Sequence, residues 1–289
     1  MARMLTWYPA DGRSPIVLTD RAAGRRVLKG TRGLGAGPVE LVTDDSPLLD
    51  GTTVWEPYYA PRVITLPMLV SARTRAEFLS KVRELVTAIH PDADGELELA
   101  QHDGRRFRLR CRYLEGLEGD EDTTMGGDTT WWRFILKLYA ADPWWYGEPI
   151  TATFTPVEAV PFFPLPPLRL SRSQVLGTVT VHNPGDVTAW PTWSATAPGS
   201  DPEFRNLATG ETLRFAGALP AGQTLTVVTT PGQQSVTLTD GTSWWPQWAP
   251  GSVMWRIPPG TTRVSLTLAS AGVGSEIALS FRPRYRTPW

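Results

Sequence analysis

Five prolines fall within residues 155–167, and this stretch constrains the fold more than any other part of the sequence. Proline fixes φ and lacks a backbone N–H, so the stretch can form neither a helix nor a central strand. We therefore predict a stiff connector at residues 151–167, between a domain of residues 1–150 and a domain of residues 168–289. Two domains also suit a chain of 289 residues, because single hydrophobic cores stop growing near this size.

The composition narrows the class of protein. Hydrophobic residues make up 41% and charged residues 20% of the chain, which argues against intrinsic disorder. The formal net charge of -1 argues against a general nucleic-acid binder, whose affinity depends on an excess of Lys and Arg. The sequence has no run of about 18 apolar residues and no signal-peptide core, so we expect neither a membrane span nor a leader. The 26 Gly, 27 Pro and 13 Trp indicate a mainly β fold of turns and aromatic-packed sheets.

One helix is predicted, and it lies in the first domain. Thr74 and Glu77 have the spacing of a capping box, and Pro91 ends the segment. Glu77 and Lys81 are placed to form an ion pair on the exposed side. Apolar residues recur at steps of four, three and four, which gives the helix one buried stripe: Phe78, Val82, Leu85 and Ile89.

The first domain is otherwise predicted to be β-rich. Asp103-Gly104 is a hairpin turn signal between strands at residues 96–100 and 105–114. In the second strand apolar residues alternate with four arginines, Arg106, Arg108, Arg110 and Arg112, which gives one apolar face and one all-Arg face. Residues 131–140 form a further predicted strand. Pro67 interrupts the apolar run at residues 63–70, so we expect an edge or bulged strand there.

The second domain is predicted to be an all-β sandwich. Short runs with high β propensity follow one another at regular intervals, and turn signals separate them. The predicted strands are residues 177–182, 212–215, 224–229, 235–239, 253–257, 263–268 and 276–281.

No catalytic or metal-binding motif is recognisable, so we expect no enzyme activity, no cofactor and no metal. Cys111 is the single cysteine, which excludes an intrachain disulfide and a thiolate cluster. The 3 histidines are too scattered to indicate zinc. The glycines at residues 33–37 lack the Lys-Ser/Thr of a phosphate-binding loop, and Pro38 breaks a dinucleotide fingerprint.

A cluster of carboxylates leaves three interpretations open: Glu115, Glu118, Asp120, Glu121, Asp122 and Asp128. It can be a solvated loop, a carboxylate pair for glycoside hydrolysis, or a surface that pairs with the Arg face of a neighbouring copy. The spacing does not fit a calcium loop. The residues that we predict for a subunit interface are Arg106, Arg108, Arg110, Arg112, Glu118, Asp120, Glu121 and Asp122.

Three tryptophans around Pro246 form the other candidate site. Because Pro246 prevents regular pairing, Trp244, Trp245 and Trp248 are expected in a loop or at an edge. Exposed indoles there can contact a glycan or a protein partner. The alternative is that the three indoles close the sandwich core or a subunit interface.

The order of these features resembles the distal tail protein family of long-tailed, non-contractile phages. The resemblance runs from the aromatic segment at residues 55–62, through the helix and the Asp-Gly hairpin, to the Asp-Pro motif at residues 142–147. The turns at residues 183–186, 206–210, 219–222 and 258–260 resemble those of the galectin-like sandwich that follows in that family.

The resemblance implies a structural virion protein of the phage tail tip. It implies a homo-oligomeric ring, with six copies expected, that joins the tail tube to the tip or baseplate hub. It also implies a galectin-like second domain that can contact host surface glycans. Two alternatives stay open: a carbohydrate-binding protein that acts through the Trp-rich domain, and a glycan hydrolase that uses Glu121.

Overall fold

The computed structural model describes residues 4–45, 50–119, 128–155 and 174–289. It contains two compact units, Met1–Gly147 with Tyr285–Trp289, and Glu148–Arg284. The expected boundaries were residues 150 and 168. Instead, Ile150 of the expected first domain and residues 151–154 of the expected connector form a strand of the second unit, because Ile150 and Phe154 pack against its core. Residues 156–167 of the connector lie outside the described residues.

The first unit is built on one large sheet with the order β2-β1-β7-β8-β9-β6-β3, and a separate hairpin β4–β5. The short strand β10 pairs with β8 and with β20. The strands of this part of the chain are β1 (Met4–Tyr8), β2 (Ile16–Val17), β3 (Arg25–Val27), β4 (Val39–Asp45), β5 (Thr52–Tyr59), β6 (Arg62–Ser71), β7 (Gly95–Ala100), β8 (Arg106–Glu115), β9 (Trp131–Ala140) and β10 (Trp145–Tyr146); β20 is Arg284–Tyr285.

The predicted helix is α1 (Arg75–Ala88). The Thr74 side chain accepts a hydrogen bond from the backbone N–H of Glu77 at 3.3 Å. Glu77 in turn accepts from the backbone N–H of Arg73 rather than from that of the cap residue, and it pairs with Lys81 at 2.7 Å. The predicted apolar stripe is buried in the core of the first unit. The capping signal and the apolar spacing therefore predicted the helix correctly.

The prediction for Pro67 was wrong. Strand β6 lies between β9 and β3, and its register with β9 runs through Pro67 without a shift. The ladder to β3 ends at the pair Val27–Met68, and the Pro67 carbonyl accepts from the Leu28 N–H at 2.7 Å. The missing N–H of Pro67 thus coincides with the end of a short neighbouring strand, where no donor is needed.

The second unit is a sandwich of two sheets, with the orders β11-β19-β13-β16-β17 and β12-β18-β14-β15. Its core lies between them, where Trp193 of the first sheet stacks on Phe204 of the second with ring centroids 4.7 Å apart. The strands are β11 (Ile150–Phe154), β12 (Gln174–Asn183), β13 (Thr192–Thr196), β14 (Ser200–Asn206), β15 (Thr212–Arg214), β16 (Thr224–Val228), β17 (Ser235–Leu238), β18 (Gly260–Ala269) and β19 (Glu276–Phe281); Trp245–Gln247 is a 3-10 turn.

The mainly β architecture with one prominent helix is confirmed, while two details of the sandwich differ from the prediction. Residues 253–257 form no strand and contribute a single bridge, between Ile257 and Ala189. The central strand β13 and the strand β14 were not predicted, because Pro198 lies between them and Pro202 lies within β14, and proline suppresses the β signal.

Candidate assembly surfaces

The arginines of β8 are paired with carboxylates of their own chain. Arg108 Nε donates to Glu98 at 2.9 Å, and its Nη1 lies 3.2 Å from Glu96. Arg106 lies 3.6 Å from Glu98. Glu98 is only 1% exposed and also accepts from the Tyr8 hydroxyl at 3.3 Å.

The other two arginines share one carboxylate at the end of the same hairpin. Arg112 Nε donates to Asp94 at 2.6 Å, and Arg110 Nε lies 3.3 Å from its second oxygen. The four guanidiniums therefore do not require a neighbouring copy for charge balance. Their contact with another copy stays a prediction.

The electrostatics of this strand follow from these pairs. Burial lowers the pKa of Arg108, but the hydrogen bonds and charges of Glu98 and Glu96 outweigh it, and the net pKa is raised. The hydrogen bond from Arg112 to Asp94 likewise raises the pKa of Arg112. Burial, followed by the charge of Glu98, raises the pKa of Tyr8. All three groups thus keep their proton at neutral pH, and the strand is a fixed array of ion pairs.

The acidic cluster is only partly described. Glu118 folds back on its own loop, where it accepts from the Tyr113 hydroxyl and the Gly116 N–H, both at 2.7 Å. The hydrogen bond from Tyr113 is the main cause that lowers the pKa of Glu118. Asp120, Glu121 and Asp122 lie outside the described residues, and their contact with the Arg face stays a prediction.

The three tryptophans around Pro246 have different environments. Trp244 is 7% exposed and packs near Phe215 in the second core, with ring centroids 6.0 Å apart. Trp245 is 41% exposed, and its ring centroid lies 5.4 Å from that of the half-buried Trp248. The 3-10 turn, which Pro246 helps to start, thus directs one indole into the core and leaves another at the surface.

The hairpin β4–β5 was not predicted from the sequence. Every residue of β4 is exposed, as are all residues of β5 except Tyr59. Trp55 is 70% exposed and is the extra residue where the register shifts. The signal was present, since Asp50-Gly51 between two β-rich runs is a turn sequence, and Gly51 has the positive φ of +85° that such turns need. Large apolar side chains are exposed along the hairpin: Val39, Leu41, Val42, Val54, Trp55 and Tyr58.

The base of the hairpin is held firmly by the aromatic Asp-Pro motif. The ring of Tyr59 packs on Trp144 with centroids 4.5 Å apart. The indole N–H of Trp145 donates to the Leu34 carbonyl at 3.1 Å. The buried Arg62 donates to the Gly35 carbonyl at 2.7 Å, and burial lowers its pKa. This motif thus has a structural role, which is to fix where the hairpin leaves the sheet.

A cavity of about 660 Å³ lies elsewhere on the first unit. Three exposed arginines line it, Arg21, Arg26 and Arg32. No acidic residue is among its described lining residues, and none of the three arginines has a carboxylate partner in the part of the chain that the structure describes. Its apolar lining comes from Leu5, Val27, Leu28, Leu34, Leu99 and Trp289.

Cys111 is a free cysteine that lies in the core of the first unit. Burial raises the pKa of the Cys111 thiol, so this side chain stays protonated and is a core residue. Across residues 4–45, 50–119, 128–155 and 174–289, no group of His, Cys, Asp and Glu side chains could hold a metal ion. In the same ranges no helix is long and apolar enough to cross a membrane.

No family model matches the sequence, and no curated protein matches it. Solved structures do match. The Dit (gp 19.1) protein of phage SPP1, described as a paradigm of the hub adsorption apparatus in phages that infect Gram-positive bacteria, superposes with a TM-score of 0.67 at 16% identity. The match covers 98% of this chain and 99% of that one. The chain has the Dit fold. A chain of the phage P2 baseplate, in its activated conformation with Ca, matches with a TM-score of 0.56 at 11% identity over 97% and 98% of the two chains.

These matches confirm the resemblance to distal tail proteins at the level of the fold. The Dit fold extends over both units and not only over the sandwich, which many unrelated proteins share. The galectin-like character of the second unit stays a prediction.

Proposed function

We propose that the protein is a structural component of a phage tail tip, where it has the role of a distal tail protein. The observation that carries this proposal is the match to SPP1 Dit over nearly the full length of both chains. A binding module alone would share one unit with such a protein. Here both units, in the same order, share its fold.

In this role the chain assembles into a closed ring, with six copies expected, between the tail tube and the tip or baseplate hub. Identical subunits form a ring when two different surfaces of one protein contact each other and the rotation closes. The first unit offers two such surfaces, the exposed hairpin and the Arg-lined cavity. We further propose that the chain is not an enzyme, that it needs no cofactor, and that it is located in the virion.

Mass measurement of the purified full-length chain, alone and mixed with the tail tube protein of the same phage, tests this function. We expect a single oligomer of ring stoichiometry, visible as rings with a central hole by negative-stain microscopy, and a larger complex with the tube protein. A protein that stays monomeric in both experiments would contradict the proposal.

A second candidate function is the binding of host glycans by the second unit, which can coexist with the first. It is favoured by Trp245, whose exposed indole lies beside Trp248 and offers an apolar face of the kind that stacks on a sugar ring. On a glycan array, the full-length Trp245→Ala variant should lose the binding that the wild type shows, while its oligomeric mass is unchanged. Absence of any glycan signal from the wild type would remove this candidate.

A further inference from the structure

The hairpin β4–β5 lacks the burial that would stabilise it within one copy of the chain. An isolated two-stranded hairpin is marginally stable in water, and this one carries large apolar side chains along its exposed length. Residues 39–45 and 50–59 also contain five acidic residues and no basic residue: Glu40, Asp44, Asp45, Asp50 and Glu56. An exposed surface that is both apolar and acidic is typical of a contact with a partner rather than of a solvated arm.

The acidic side chains are arranged for such a contact. Val42 lies directly opposite Glu56 in the register of the two strands, and Glu40 lies opposite Tyr58. Because side chains alternate between the faces of a strand, Glu40, Val42 and Asp44 share one face, and Glu56 and Tyr58 are on that face as well. Glu40 accepts a hydrogen bond from the Tyr58 hydroxyl within the hairpin. Asp44 and Glu56 are therefore the carboxylates of this face that the hairpin offers to a partner, beside apolar and aromatic groups and the exposed Trp55 at the register shift.

The cavity of the first unit has the opposite character. Arg21, Arg26 and Arg32 give it positive charge, and leucine side chains give it apolar walls. Arginine is the cation best suited to carboxylates and aromatic rings at interfaces, and each of the three is exposed. The cavity thus matches the hairpin in both charge and polarity.

We propose that the hairpin of one copy docks into the Arg-lined cavity of a second copy of this chain. The donor and acceptor surfaces belong to different parts of the first unit, so each copy gives its hairpin to one neighbour and receives that of another, which is the contact type that closes a ring. This inference rests on the proposed ring for its biological setting. It assigns the subunit interface to the hairpin and the cavity, and not to the Arg face of β8.

Charge reversal tests the contact in the full-length protein. A hairpin variant combines Asp44→Arg with Glu56→Arg, and a cavity variant combines Arg26→Glu with Arg32→Glu. Like charges placed against each other oppose association strongly, so each variant alone should self-associate at least about 100-fold more weakly than the wild type. Analytical ultracentrifugation over a concentration series measures this change.

A mixture of the two variants is the decisive sample. In it the unchanged hairpin of the cavity variant meets the unchanged cavity of the hairpin variant, and the two reversed surfaces are also opposite in charge. The mixture should therefore regain the wild-type oligomer. The matched control is Arg83→Glu with Arg214→Glu, which reverses two exposed arginines outside the cavity and should assemble like the wild type. Thermal unfolding of each variant confirms that it is folded.

The outcomes separate this inference from the proposed function. An oligomeric wild type whose variants assemble normally overturns the hairpin contact and leaves the ring intact. If only the cavity variant loses assembly and the mixture does not regain the oligomer, the hairpin contact is also overturned. The cavity then binds an anionic partner other than the hairpin. A wild type that is monomeric both alone and with the tube protein overturns the ring as well.

Discussion

Two surfaces of the first unit each carry several charges of one sign, and they differ in whether the fold neutralises these charges. The Arg face of β8 carries four like charges, but each guanidinium has a carboxylate of β7 or of the preceding turn beside it. The hairpin β4–β5 carries acidic residues with no cation among them and exposes its apolar groups. A run of like charges therefore does not identify an interface. What matters is whether the fold already supplies the opposite charge.

The same contrast holds on a smaller scale around Pro246. Trp244 and Trp245 are adjacent in sequence, yet the first is buried in the second core and the second is exposed. A buried indole contributes to stability through its contacts in the core, whereas an exposed indole is available for binding. Unfolding in denaturant measures the contribution of both kinds of residue to stability.

The largest effect is expected for Trp244→Ala. Truncation of a buried indole removes contacts and leaves a cavity, which typically costs about 3–5 kcal/mol. Trp245→Ala should change the free energy of unfolding by less than about 0.5 kcal/mol, since surface substitutions usually do so. Urea unfolding of the full-length variants gives both values. Equal costs for the two would show that the exposed indole also has a structural role.

The next effect concerns Arg108→Glu combined with Arg110→Glu. If the Arg face served only as an interface, this variant would stay folded and lose assembly, because both residues lie on the face opposite the apolar stripe. The structure changes the expectation, since the new Glu at position 108 would face the buried Glu98. An uncompensated buried charge typically costs about 3–5 kcal/mol, and the partial exposure of Arg108 places the expected loss near 3 kcal/mol.

Arg110→Glu alone is the control for that variant. Its side chain is well exposed, and an exposed pair contributes at most about 1 kcal/mol. If the double variant unfolds at the wild-type denaturant concentration, the ion pairs of β7 and β8 do not stabilise the fold, and the contrast with the hairpin loses its basis.

Much of this comparison could be predicted from local sequence, and some of it was overlooked there. The Asp103-Gly104 turn sets the register that places Glu98 opposite Arg108 and Glu96 opposite Arg110. The partners of the Arg face were therefore within reach of pattern analysis, because β7 alternates as regularly as β8. The helix was predicted correctly for the same reason, since its cap and its apolar stripe are signals of short range.

The rest depends on contacts between residues that are distant in the sequence. The cavity combines Leu5, Arg26 and Leu99 with Trp289, and β11 pairs with β19, a strand near the C-terminus. No periodicity or turn signal encodes such neighbours. The hairpin was missed because its strands do not alternate between apolar and polar residues. Such alternation arises when one face of a strand is buried, and neither face of this hairpin is buried in the single chain.

Trp55→Ser measures the hairpin side of the comparison. The side chain is largely exposed, so the free energy of unfolding of the monomer should change by less than about 0.5 kcal/mol. If Trp55 anchors the contact between copies, its loss should weaken self-association at least about 30-fold, as for other interface tryptophans. Sedimentation measures the association and urea unfolding measures the stability. A variant that loses stability without losing association would place Trp55 among the structural residues.

The smallest effect concerns Asp103, in the turn between β7 and β8. Its carboxylate accepts from the backbone N–H of Arg105 at 3.0 Å and pairs with the Arg105 guanidinium at 2.7 Å. The backbone hydrogen bond is the main cause that lowers the pKa of Asp103, and the side-chain bond adds to it. A carboxyl group whose pKa is lower in the folded than in the unfolded state stabilises the fold at a pH above its unfolded pKa, which is about 4. This contribution disappears as the pH falls through the folded pKa. An NMR titration should thus find a pKa for Asp103 below the ordinary range.

Two variants separate the causes of this lowered pKa. Because the backbone donor dominates, Arg105→Ala should retain most of the lowering, whereas Asp103→Asn should remove the associated acid dependence of stability. An ordinary pKa for Asp103 in the wild type would show that its turn is held no more firmly than the exposed hairpin.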